Sequence, residues 1–428
     1  PALKDVYAIW RRNNYDVTFN RNGGKWTDAA SLGVADTSTT AKRTVAYDRA
    51  VGALPTVSRA GYGFDGWYTA ASGGTKIDAT EKVKAAAVYY AHWVPADGTK
   101  YTVIWQGKNL DGTVVELDKK ERFGKTDTSV SFGANISSSG EKLVQTFNGY
   151  DYYGYNIKSS KKPNGTSGTG NGSFQILADG SVEVTLTYKL KSNSITVTTA
   201  DIANAAPLGS VQIGLSAAGH TTTGSSMTTG SSNGQASTSY KYGSGVTLTA
   251  GAKEGYTFAG WSGDYTAAAK NLGFTMPDKS VDVKAYYRRN TYAVSKRLSH
   301  ITAGAESAAL PGQGGNPLAA SSVPYAASYT LQLTADTGYE LPDHITLQRG
   351  TGTAVTVNAT DAGASAGSGS AVYTRSDDRM SAALTVKDVK TSLTVTAAGV
   401  PKEYEASLSD ESTHVTAVPA GVSAVRYG

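Results

Sequence analysis

Histidine is the residue of this chain with the most versatile chemistry, because a neutral imidazole can bind zinc or act as a general base near neutral pH. The five histidines are His92, His220, His300, His344 and His414. They lie far apart, and none forms the i, i+4 pair or another short spacing typical of zinc sites. The chain also has no cysteine, so thiolate ligands are missing. The sequence therefore predicts no metal centre.

Carboxylates and glycine runs are the other candidates for chemistry. Asp377 and Asp378 could share acid–base work or calcium, but adjacent residues of a strand point to opposite faces, which favours a solvated turn. The glycine-rich runs 163–173 and 361–370 lack the lysine and the helix of a nucleotide site, and we interpret them as hairpin tips. We predict a chain that is not an enzyme and uses no cofactor.

The composition indicates short strands joined by many turns. Of 428 residues, 48 are glycine and only 18% are charged, which disfavours long exposed helices. The net charge of +5 is spread over separate basic doublets, whereas a nucleic-acid binder gathers such charge into one stripe. No apolar run approaches the ~20 residues of a membrane span. We expect neither nucleic acid nor membrane insertion.

One short signature recurs three times. Residues 60–68 read AGYGFDGWY, residues 254–262 read EGYTFAGWS, and residues 337–345 read TGYELPDHI. The first glycine allows a positive φ at a turn and sets the tyrosine at a core edge; the second lets the backbone pass closely beneath the tryptophan. We interpret these residues as structural, with sugar stacking on the tryptophans as the alternative. They are Gly61, Tyr62, Gly66, Trp67, Gly255, Tyr256, Gly260, Trp261, Gly338 and Tyr339.

Alternating strands flank each copy of the signature. Tyr15, Val17 and Phe19 fall on one face of an opening strand, and the closing strand at residues 280–286 alternates in the same way. The closing strands contain VYYAHW, VKAYYRR and LTVTAAGV. Helix is expected only around residues 80–86.

Residues 13–95 resemble the Listeria–Bacteroides repeat, also called the internalin B-repeat, in YDVTFNRNGG, GYGFDGWYTAASGGTKID and VYYAHW. Residues 193–289 resemble its second bacterial variety through GYTFAGWSGD and FTMPDKSVDVKAYY, and residues 290–400 resemble a diverged copy in which Pro342-Asp343-His344 replaces the tryptophan. Residues 99–190 are similar to a mucin-binding-protein (MucBP-like) repeat, in LDG, an inner Gly-Tyr pair and a final DGS-strand-Tyr-Lys.

The resemblance implies a mainly β fold, with tandem small β-grasp-like repeats arranged as beads in an elongated array. Residues 1–12 match the pattern of a closing strand of a preceding repeat, and residues 401–428 match the opening strand of a following one. The chain is then either a window of a longer array or a subunit that associates head to tail by strand addition.

Four tyrosines of the MucBP-like segment form the candidate ligand surface, because successive residues of a strand cannot all face inwards. They are Tyr150, Tyr152, Tyr153 and Tyr155. Packing of these rings across strands is the competing interpretation. The polar segment 219–239 is interpreted as a β-arm or insertion, or alternatively as a loop that recognises a partner.

The resemblance implies a non-catalytic structural or adhesive segment, a stalk, spacer or fibre subunit of a secreted surface protein of Gram-positive-type bacteria. The location implied is extracellular, on the cell surface or attached to the cell wall. Expected partners are a host glycan or protein, or neighbouring subunits. A carbohydrate- or mucin-binding module and an accessory repeat region of a larger surface enzyme are the alternatives.

Overall fold

The computed structural model describes residues 4–136, 142–218, 226–311, 316–317, 322–361, 370–404 and 425–426. These residues are almost entirely β-structure, with main sheets that follow one another along the sequence. We call the corresponding segments repeat 1 (14–95), repeat 2 (99–190), repeat 3 (192–289) and repeat 4 (291–401).

The chain divides into two compact units. The first comprises residues 1–193, 240–244 and 276–279, and it contains repeats 1 and 2. The second comprises residues 194–239, 245–275 and 280–428, and it contains most of repeat 3 and all of repeat 4.

Repeat 1 holds nine strands and one short helix. Its main sheet has the order β3-β1-β9-β6-β7, while β2 pairs with β5 and β4 with β8. The elements are β1 (Asn14–Asn20), β2 (Lys25–Trp26), α1 (Ala29–Leu32), β3 (Thr40–Ala46), β4 (Arg49–Ala50), β5 (Val57–Ser58), β6 (Tyr62–Tyr68), β7 (Lys76–Ile77), β8 (Lys82–Val83) and β9 (Ala87–Pro95).

Repeat 2 has a main sheet of order β11-β10-β16-β13-β14, and β12 pairs separately with β15. Its strands are β10 (Thr99–Lys108), β11 (Val114–Gly124), β12 (Ser129–Phe132), β13 (Tyr150–Ser159), β14 (Lys162–Thr169), β15 (Gly172–Gln175) and β16 (Glu183–Leu190).

Repeat 3 has two four-stranded sheets, of order β20-β17-β24-β22 and β19-β18-β21-β23. Its strands are β17 (Ser192–Asp201), β18 (Gln212–Ala218), β19 (Ser226–Thr228), β20 (Gln235–Lys241), β21 (Gly245–Ala250), β22 (Tyr256–Gly263), β23 (Asn271–Thr275) and β24 (Val281–Arg289). Strands β19 and β20 occupy part of the polar segment 219–239, of which residues 219–225 lie outside the described residues.

Repeat 4 is built on one ten-stranded sheet of order β27-β26-β29-β34-β33-β32-β31-β35-β25-β28, and β30 pairs with β36. Its strands are β25 (Thr291–Ser299), β26 (Ile301–Ala309), β27 (Asn316–Pro317), β28 (Ser322–Pro324), β29 (Ser328–Ala335), β30 (Tyr339–Glu340), β31 (His344–Arg349), β32 (Val355–Asp361), β33 (Ala371–Arg375), β34 (Ser381–Val386), β35 (Leu393–Ala398) and β36 (Val400–Pro401).

All four repeats contain the same run of four neighbouring strands. The runs are β3-β1-β9-β6, β11-β10-β16-β13, β20-β17-β24-β22 and β28-β25-β35-β31. The opening and closing strands in the middle of each run are parallel. The signature strand pairs antiparallel with the closing strand. The prediction of a mainly β fold built from tandem repeats is confirmed.

The alternation predicted for the opening and closing strands is confirmed by burial. Val17 and Phe19 are buried, as are Val281, Val283 and Ala285 on the closing strand of repeat 3. Burying a side chain of this kind stabilises a fold by about 1.5–3 kcal/mol. Repeats 1, 2 and 4 each enclose a separate apolar core.

The helix predicted around residues 80–86 is wrong. Lys82 and Val83 form β8, whose Val83 is buried and pairs with Arg49. The short helix of repeat 1 is α1 instead, and Gly33, with φ of 64°, ends it in the left-handed conformation.

The interpretation of run 163–173 as a hairpin tip is also wrong for most of its length. Residues 163–169 belong to β14, which pairs with β13 from Thr169 opposite Gly154 to Lys162 opposite Ser159. Several residues of β14 are exposed, so small polar side chains suffice there.

The segments between repeats are short. Residues 96–98 separate β9 from β10, Lys191 alone separates β16 from β17, and Asn290 alone separates β24 from β25. Residues 4–12 form no strand, and Trp10 among them is 90% exposed. In the final segment, β37 (Glu403–Tyr404) pairs with β38 (Val425–Arg426), while residues 405–424 and 427–428 lie outside the described residues.

Candidate functional site

Trp67 lies in the core of repeat 1 and has no exposed surface. Its ring packs edge-on against Phe19, with centroids 5.0 Å apart, and stacks on Trp26 at 6.0 Å. Its indole N–H donates to the carbonyl oxygen of Pro55 at 3.0 Å, which satisfies the one polar atom of the ring. The buried ring offers no face for stacking on a sugar.

Trp261 takes the corresponding place in repeat 3 and is only 4% exposed. Its ring packs against Phe258 at 5.7 Å, and its indole N–H donates to the carbonyl oxygen of Lys270 at 3.1 Å. Both tryptophans of the signature therefore bind a loop carbonyl from inside the fold.

The second glycine of the signature lies at a β-bulge. The register shifts between Phe64 and Gly66, and again between Phe258 and Gly260. The φ angles of the two glycines are 150° and 143°, a region that L side chains rarely adopt. The extra residue turns the strand so that the phenylalanine and the tryptophan three residues later contact each other.

The first glycine of the signature takes the positive φ expected, 74° at Gly61 and 75° at Gly255. The tyrosines that follow are half-buried and also reach residues outside their own repeat. The hydroxyl of Tyr62 donates to the carboxylate of Asp127 in repeat 2, and this bond raises the pKa of Tyr62. Tyr256 packs against Tyr325 of repeat 4, with ring centroids 6.3 Å apart.

The third copy of the signature keeps the turn and loses the bulge. Gly338 has φ of 84°, and Tyr339 stacks on His300 at 4.0 Å. The chain then passes through Leu341 to Ile345, and both of these side chains are buried. Ile345 supplies the apolar side chain that tryptophan supplies in repeats 1 and 3.

Arg375 holds the segment that replaces the bulge in repeat 4. Its guanidinium is buried and donates to the carbonyl oxygen of Leu341 at 3.0 Å and to the Asp343 carboxylate at 2.7 Å. This guanidinium lowers the pKa of Asp343.

The four tyrosines of the candidate ligand surface are not brought together on one face. Tyr150 is half-buried, and its hydroxyl lies 3.3 Å from the side-chain oxygen of Asn109. Tyr153 is 46% exposed, and the ammonium of Lys189 lies 3.1 Å from the centroid of its ring. Tyr153 is thus the one of the four that presents most surface to solvent.

Tyr152 and Tyr155 pack inwards in part. The hydroxyl of Tyr152 donates to the carbonyl oxygen of Gly170 at 2.7 Å, its ring meets Tyr188 at 5.7 Å, and burial raises its pKa to about 12. Tyr155 packs edge-on against Phe132 at 5.1 Å.

These tyrosines are a fourth copy of the signature, which the sequence analysis missed. The register of β13 shifts between Tyr152 and Gly154, at the same place as in repeats 1 and 3. Tyr152 then corresponds to Phe64 and Tyr155 to Trp67. The signal was present in the sequence, since GYDYYGY keeps the first and the last glycine of GYGFDGW.

A cavity of about 350 Å³ lies beside Tyr155, between β13, β14 and β15. Its lining combines aromatic and aliphatic side chains with hydroxyl, amide and ammonium groups. The residues that give it this character are Tyr155, Phe174, Lys161, Lys162, Thr166 and Gln175.

The histidines take separate structural places. His92 lies 2.9 Å through Nε2 from the carbonyl oxygen of Ala70 and stacks on Tyr68 at 3.9 Å. His344 begins β31, while His220 and His414 lie outside the described residues. Across the described part of the chain, no three histidine, aspartate or glutamate side chains are grouped to hold a metal ion.

The pair Asp377-Asp378 lies in a turn, where one oxygen of Asp378 accepts from the Ser376 hydroxyl at 2.6 Å and from the Met380 N–H at 3.0 Å. This carboxylate is therefore used to hold the turn. Among the residues that the structure covers, no helix has the length and apolar character needed to cross a membrane.

Two segments match known family models. Residues 15–92 match the Listeria-Bacteroides repeat domain, and residues 220–291 match the divergent InlB B-repeat domain. No curated protein matches the chain.

Several solved structures show a remote similarity. The Bacillus anthracis TIE protein is 10% identical over 85% of this chain and 56% of its own, with a TM-score of 0.36. The pilus adhesin SpaC from Lactobacillus rhamnosus GG is 14% identical over 75% of this chain and 45% of its own, with a TM-score of 0.30. The major pilin from Streptococcus pyogenes is 10% identical over 49% of this chain and 98% of its own, with a TM-score of 0.22.

The chain spans about half the length of the first two of these structures. TM-scores this low do not establish a common fold, so the architecture rests on the strand pairing described above. The sequence matches are more specific: residues 15–92 and 220–291 are each similar to repeat domains of the internalin B-repeat type.

Proposed function

We propose that this chain is a non-catalytic structural or adhesive segment of an extracellular bacterial surface protein, a stalk, spacer or fibre. The observation that carries the proposal is the path of the chain through each repeat. The chain enters through the opening strand and leaves through the closing strand, and these two strands are parallel neighbours. Their outer ends therefore point in opposite directions.

A pull on the two ends of such a repeat loads the parallel ladder in shear. In repeat 1 the paired residues run from Val17 opposite Ala87 to Asn20 opposite Tyr90, and in repeat 3 from Ile195 opposite Val281 to Asp201 opposite Tyr287. The hydrogen bonds of a ladder in shear must yield together rather than one by one. This geometry suits a segment that carries tension.

Force spectroscopy on the whole chain tests this proposal. We expect discrete unfolding events, one for each repeat that carries the parallel ladder. Thr196→Pro removes a backbone donor from β17, beside the ladder to β24, and lowers the unfolding force of one repeat. The exposed Lys4→Pro is the matched control, because residue 4 lies in no strand. A chain that extends without discrete events contradicts a load-bearing role.

The surface location is tested on cells that produce the protein. Antibodies raised against the purified chain should label intact cells, and brief protease treatment of those cells should remove the label. Labelling that appears only after lysis contradicts an extracellular location, whatever the mechanical result.

A ligand-binding role is the second candidate, and the cavity beside Tyr155 favours it. A cavity lined by aromatic rings together with hydroxyl and ammonium groups can hold a sugar, and the MucBP-like resemblance of residues 99–190 points to mucin glycans. Lys161→Ala/Lys162→Ala should abolish binding on a glycan array. The exposed doublet Lys119→Ala/Lys120→Ala removes the same charge away from the cavity and serves as the control. Absence of binding to any glycan contradicts this role.

A further inference from the structure

The Gly-Tyr turn that begins each signature has one carbonyl group directed at the next stretch of chain. In all four repeats the N–H of the tyrosine closes the turn by donating to the carbonyl oxygen three residues earlier, at 3.0–3.1 Å. The glycine before it has φ between 74° and 84°, as a type II turn requires. The four pairs are Gly61-Tyr62, Gly149-Tyr150, Gly255-Tyr256 and Gly338-Tyr339.

The carbonyl of that glycine accepts a hydrogen bond from the residue that follows the closing strand in repeats 1, 2 and 3, and from the residue that follows β36 in repeat 4. The distances are 2.9–3.0 Å. The donors and acceptors are Ala96 to Gly61, Lys191 to Gly149, Asn290 to Gly255 and Lys402 to Gly338. We call these donors the junction residues.

The carbonyl oxygen of each of the first three junction residues accepts a hydrogen bond from a β-turn that lies later in the chain. Thr126 donates its N–H to Ala96 at 2.9 Å, Tyr242 to Lys191 at 2.9 Å, and Tyr325 to Asn290 at 2.8 Å. The residue after each donor has a positive φ. We call these two-residue segments opening turns; they are Thr126-Asp127, Tyr242-Gly243 and Tyr325-Ala326.

The glycine of the Gly-Tyr turn is in direct contact with the opening turn at two junctions. A Cβ on Gly149 would lie 2.1 Å from Cδ1 of Tyr242, and a Cβ on Gly255 would lie 2.2 Å from a ring carbon of Tyr325. Real Cβ atoms essentially never approach another atom so closely. A tyrosine ring carbon close to the backbone cannot move aside as the flexible end of a lysine side chain can. A side chain is excluded there by the neighbour as well as by φ.

Charged side chains reinforce the junctions. The Asp278 carboxylate accepts from the Gly149 N–H at 2.9 Å and from the Lys191 ammonium at 3.0 Å. Arg289 donates to the carbonyl oxygen of Tyr325 at 3.2 Å. The Asp278 bonds join the Gly-Tyr turn of repeat 2 to its junction residue, and the Arg289 bond holds the opening turn of repeat 4.

The bond between an opening turn and the residue before an opening strand also occurs at the start of repeat 1. Tyr47 donates its N–H to the Asn13 carbonyl at 2.7 Å, Asp48 after it has φ of 57°, and Arg12 donates to the Tyr47 carbonyl at 3.2 Å. The bond from Arg12 repeats the bond from Arg289 in type and length. The opening turn is thus a recurrent element of the repeats.

We propose that the Gly-Tyr turn of repeats 1, 2 and 3 is a docking surface whose partner is the opening turn of the next repeat in the chain. The first glycine of the signature is then required for coupling between neighbouring repeats, in addition to its role in the turn. This inference does not depend on a surface location or on ligand binding.

Hydrogen exchange on the whole chain tests the proposal at the junction of repeats 3 and 4. In the native protein the amides of Asn290 and Tyr325 should be protected. Gly255→Ala should speed their exchange about tenfold, the effect of losing ~1.4 kcal/mol of local stability. The amides of β24 and β29 should keep their protection, because both repeats stay folded.

Gly170→Ala is the matched control, since Gly170 has φ of 74° and no atom within 4 Å of its added Cβ. It carries the same backbone strain and should leave the junction amides unchanged. In the double variant Gly255→Ala/Tyr325→Ala the collision is gone and only the backbone strain remains, so Gly255→Ala should speed junction exchange less in Tyr325→Ala than in the native chain.

The proposal is overturned if the Asn290 and Tyr325 amides of the native protein exchange as fast as those of an unfolded peptide. It is equally overturned if Gly255→Ala and Gly170→Ala affect the junction alike, or if the effects of Gly255→Ala and Tyr325→Ala simply add. Gly149→Ala with Tyr242→Ala repeats the measurement at Lys191, so a failure of one variant to fold leaves the test intact.

Discussion

At the residue scale, the signature tryptophans are buried donors whose partners are fixed. Trp67 and Trp261 each bind a loop carbonyl, so the indole fixes that loop as well as filling the core. Removing the ring therefore leaves both a cavity and an unpaired carbonyl.

Trp67→Ala should destabilise repeat 1 by about 3–5 kcal/mol, the usual cost of deleting a buried large aromatic side chain. Hydrogen exchange of the β1 and β9 amides measures this loss. Trp10→Ala is the control, because Trp10 is 90% exposed and its removal should change stability by less than ~0.5 kcal/mol. Equal effects of the two variants would show that Trp67 does not support the core.

Tyr287 makes the stability of repeat 3 sensitive to alkaline pH. Its hydroxyl donates to the carbonyl oxygen of Gly251 at 2.8 Å, and burial raises its pKa to about 12. In the unfolded chain a tyrosine loses its proton near pH 10. The unfolded state therefore binds fewer protons between these values, and the stabilisation is complete below pH 10 and is lost as pH rises towards 12.

Tyr287→Phe should accordingly lower the thermal midpoint at pH 8 but flatten its decline between pH 10 and 12. Circular dichroism melts at several pH values measure both effects. Tyr7→Phe removes a hydroxyl from an exposed ring and serves as the control. A decline as steep in Tyr287→Phe as in the native chain would contradict the assignment.

At the element scale, the bulge in the signature strand decides which side chains enter the core. Without the extra residue, two side chains three positions apart would lie on opposite faces of the strand. The bulge lets Phe64 and Trp67 meet at 5.9 Å between ring centroids. In repeats 1 and 3 the glycine after the extra residue takes an unusual φ, 150° at Gly66 and 143° at Gly260.

Gly66→Ala should destabilise repeat 1 by an amount of order 1–3 kcal/mol, because alanine would be held at a φ of 150°. Gly63→Ala, three residues earlier on the same strand, has neither a positive φ nor an atom closer than 3.9 Å to the added Cβ. It should be close to neutral. Chemical denaturation of both variants measures their stabilities. Equal midpoints would contradict the claim that the glycine at the bulge stabilises repeat 1.

The sequence predicted those elements in which burial alternates strictly, such as the strand that carries Val17 and Phe19. It failed where tertiary pairing decides. The helix expected at 80–86 is instead β8, because Val83 pairs with the strand at Arg49 and is buried. Most of the glycine run 163–173 forms strand β14 because it pairs with β13, and local composition does not reveal this pairing.

The candidate site was predicted only in part, for a similar reason. Gly-Tyr and Gly-Trp spacing located the turns and the buried rings. The contacts of Tyr62 with Asp127 and of Tyr256 with Tyr325 join residues far apart in sequence, so no local pattern announces them. In repeat 4, Ile345 takes the place of an aromatic residue, and the segment before it is longer and is held by Arg375. A sequence search for tryptophan therefore does not find this position.

At the scale of the whole molecule, separate cores should unfold separately. Leu331 lies in the core of repeat 4 and is fully buried. Repeat 4 contains no tryptophan, whereas repeats 1, 2 and 3 each contain at least one. Fluorescence of tryptophan therefore reports on the other repeats only, while circular dichroism reports on all of them.

Leu331→Ala should cost about 2–5 kcal/mol, confined to repeat 4. In urea, the part of the circular dichroism change that comes from repeat 4 should move to a lower urea concentration. The transition measured by tryptophan fluorescence should keep its midpoint. Coincident shifts by both probes would mean that the repeats unfold as one cooperative unit.

The junction residues also bear on how such a gene can change its length. Lys191 and Asn290 each stand alone between two strands, and each forms the same pair of backbone bonds. An in-frame duplication from one junction codon to the next would add a complete module with both bonds restored. A breakpoint that joins non-equivalent positions of two repeats would leave a sheet without one of its central strands, so recombination should be tolerated in steps of whole repeats.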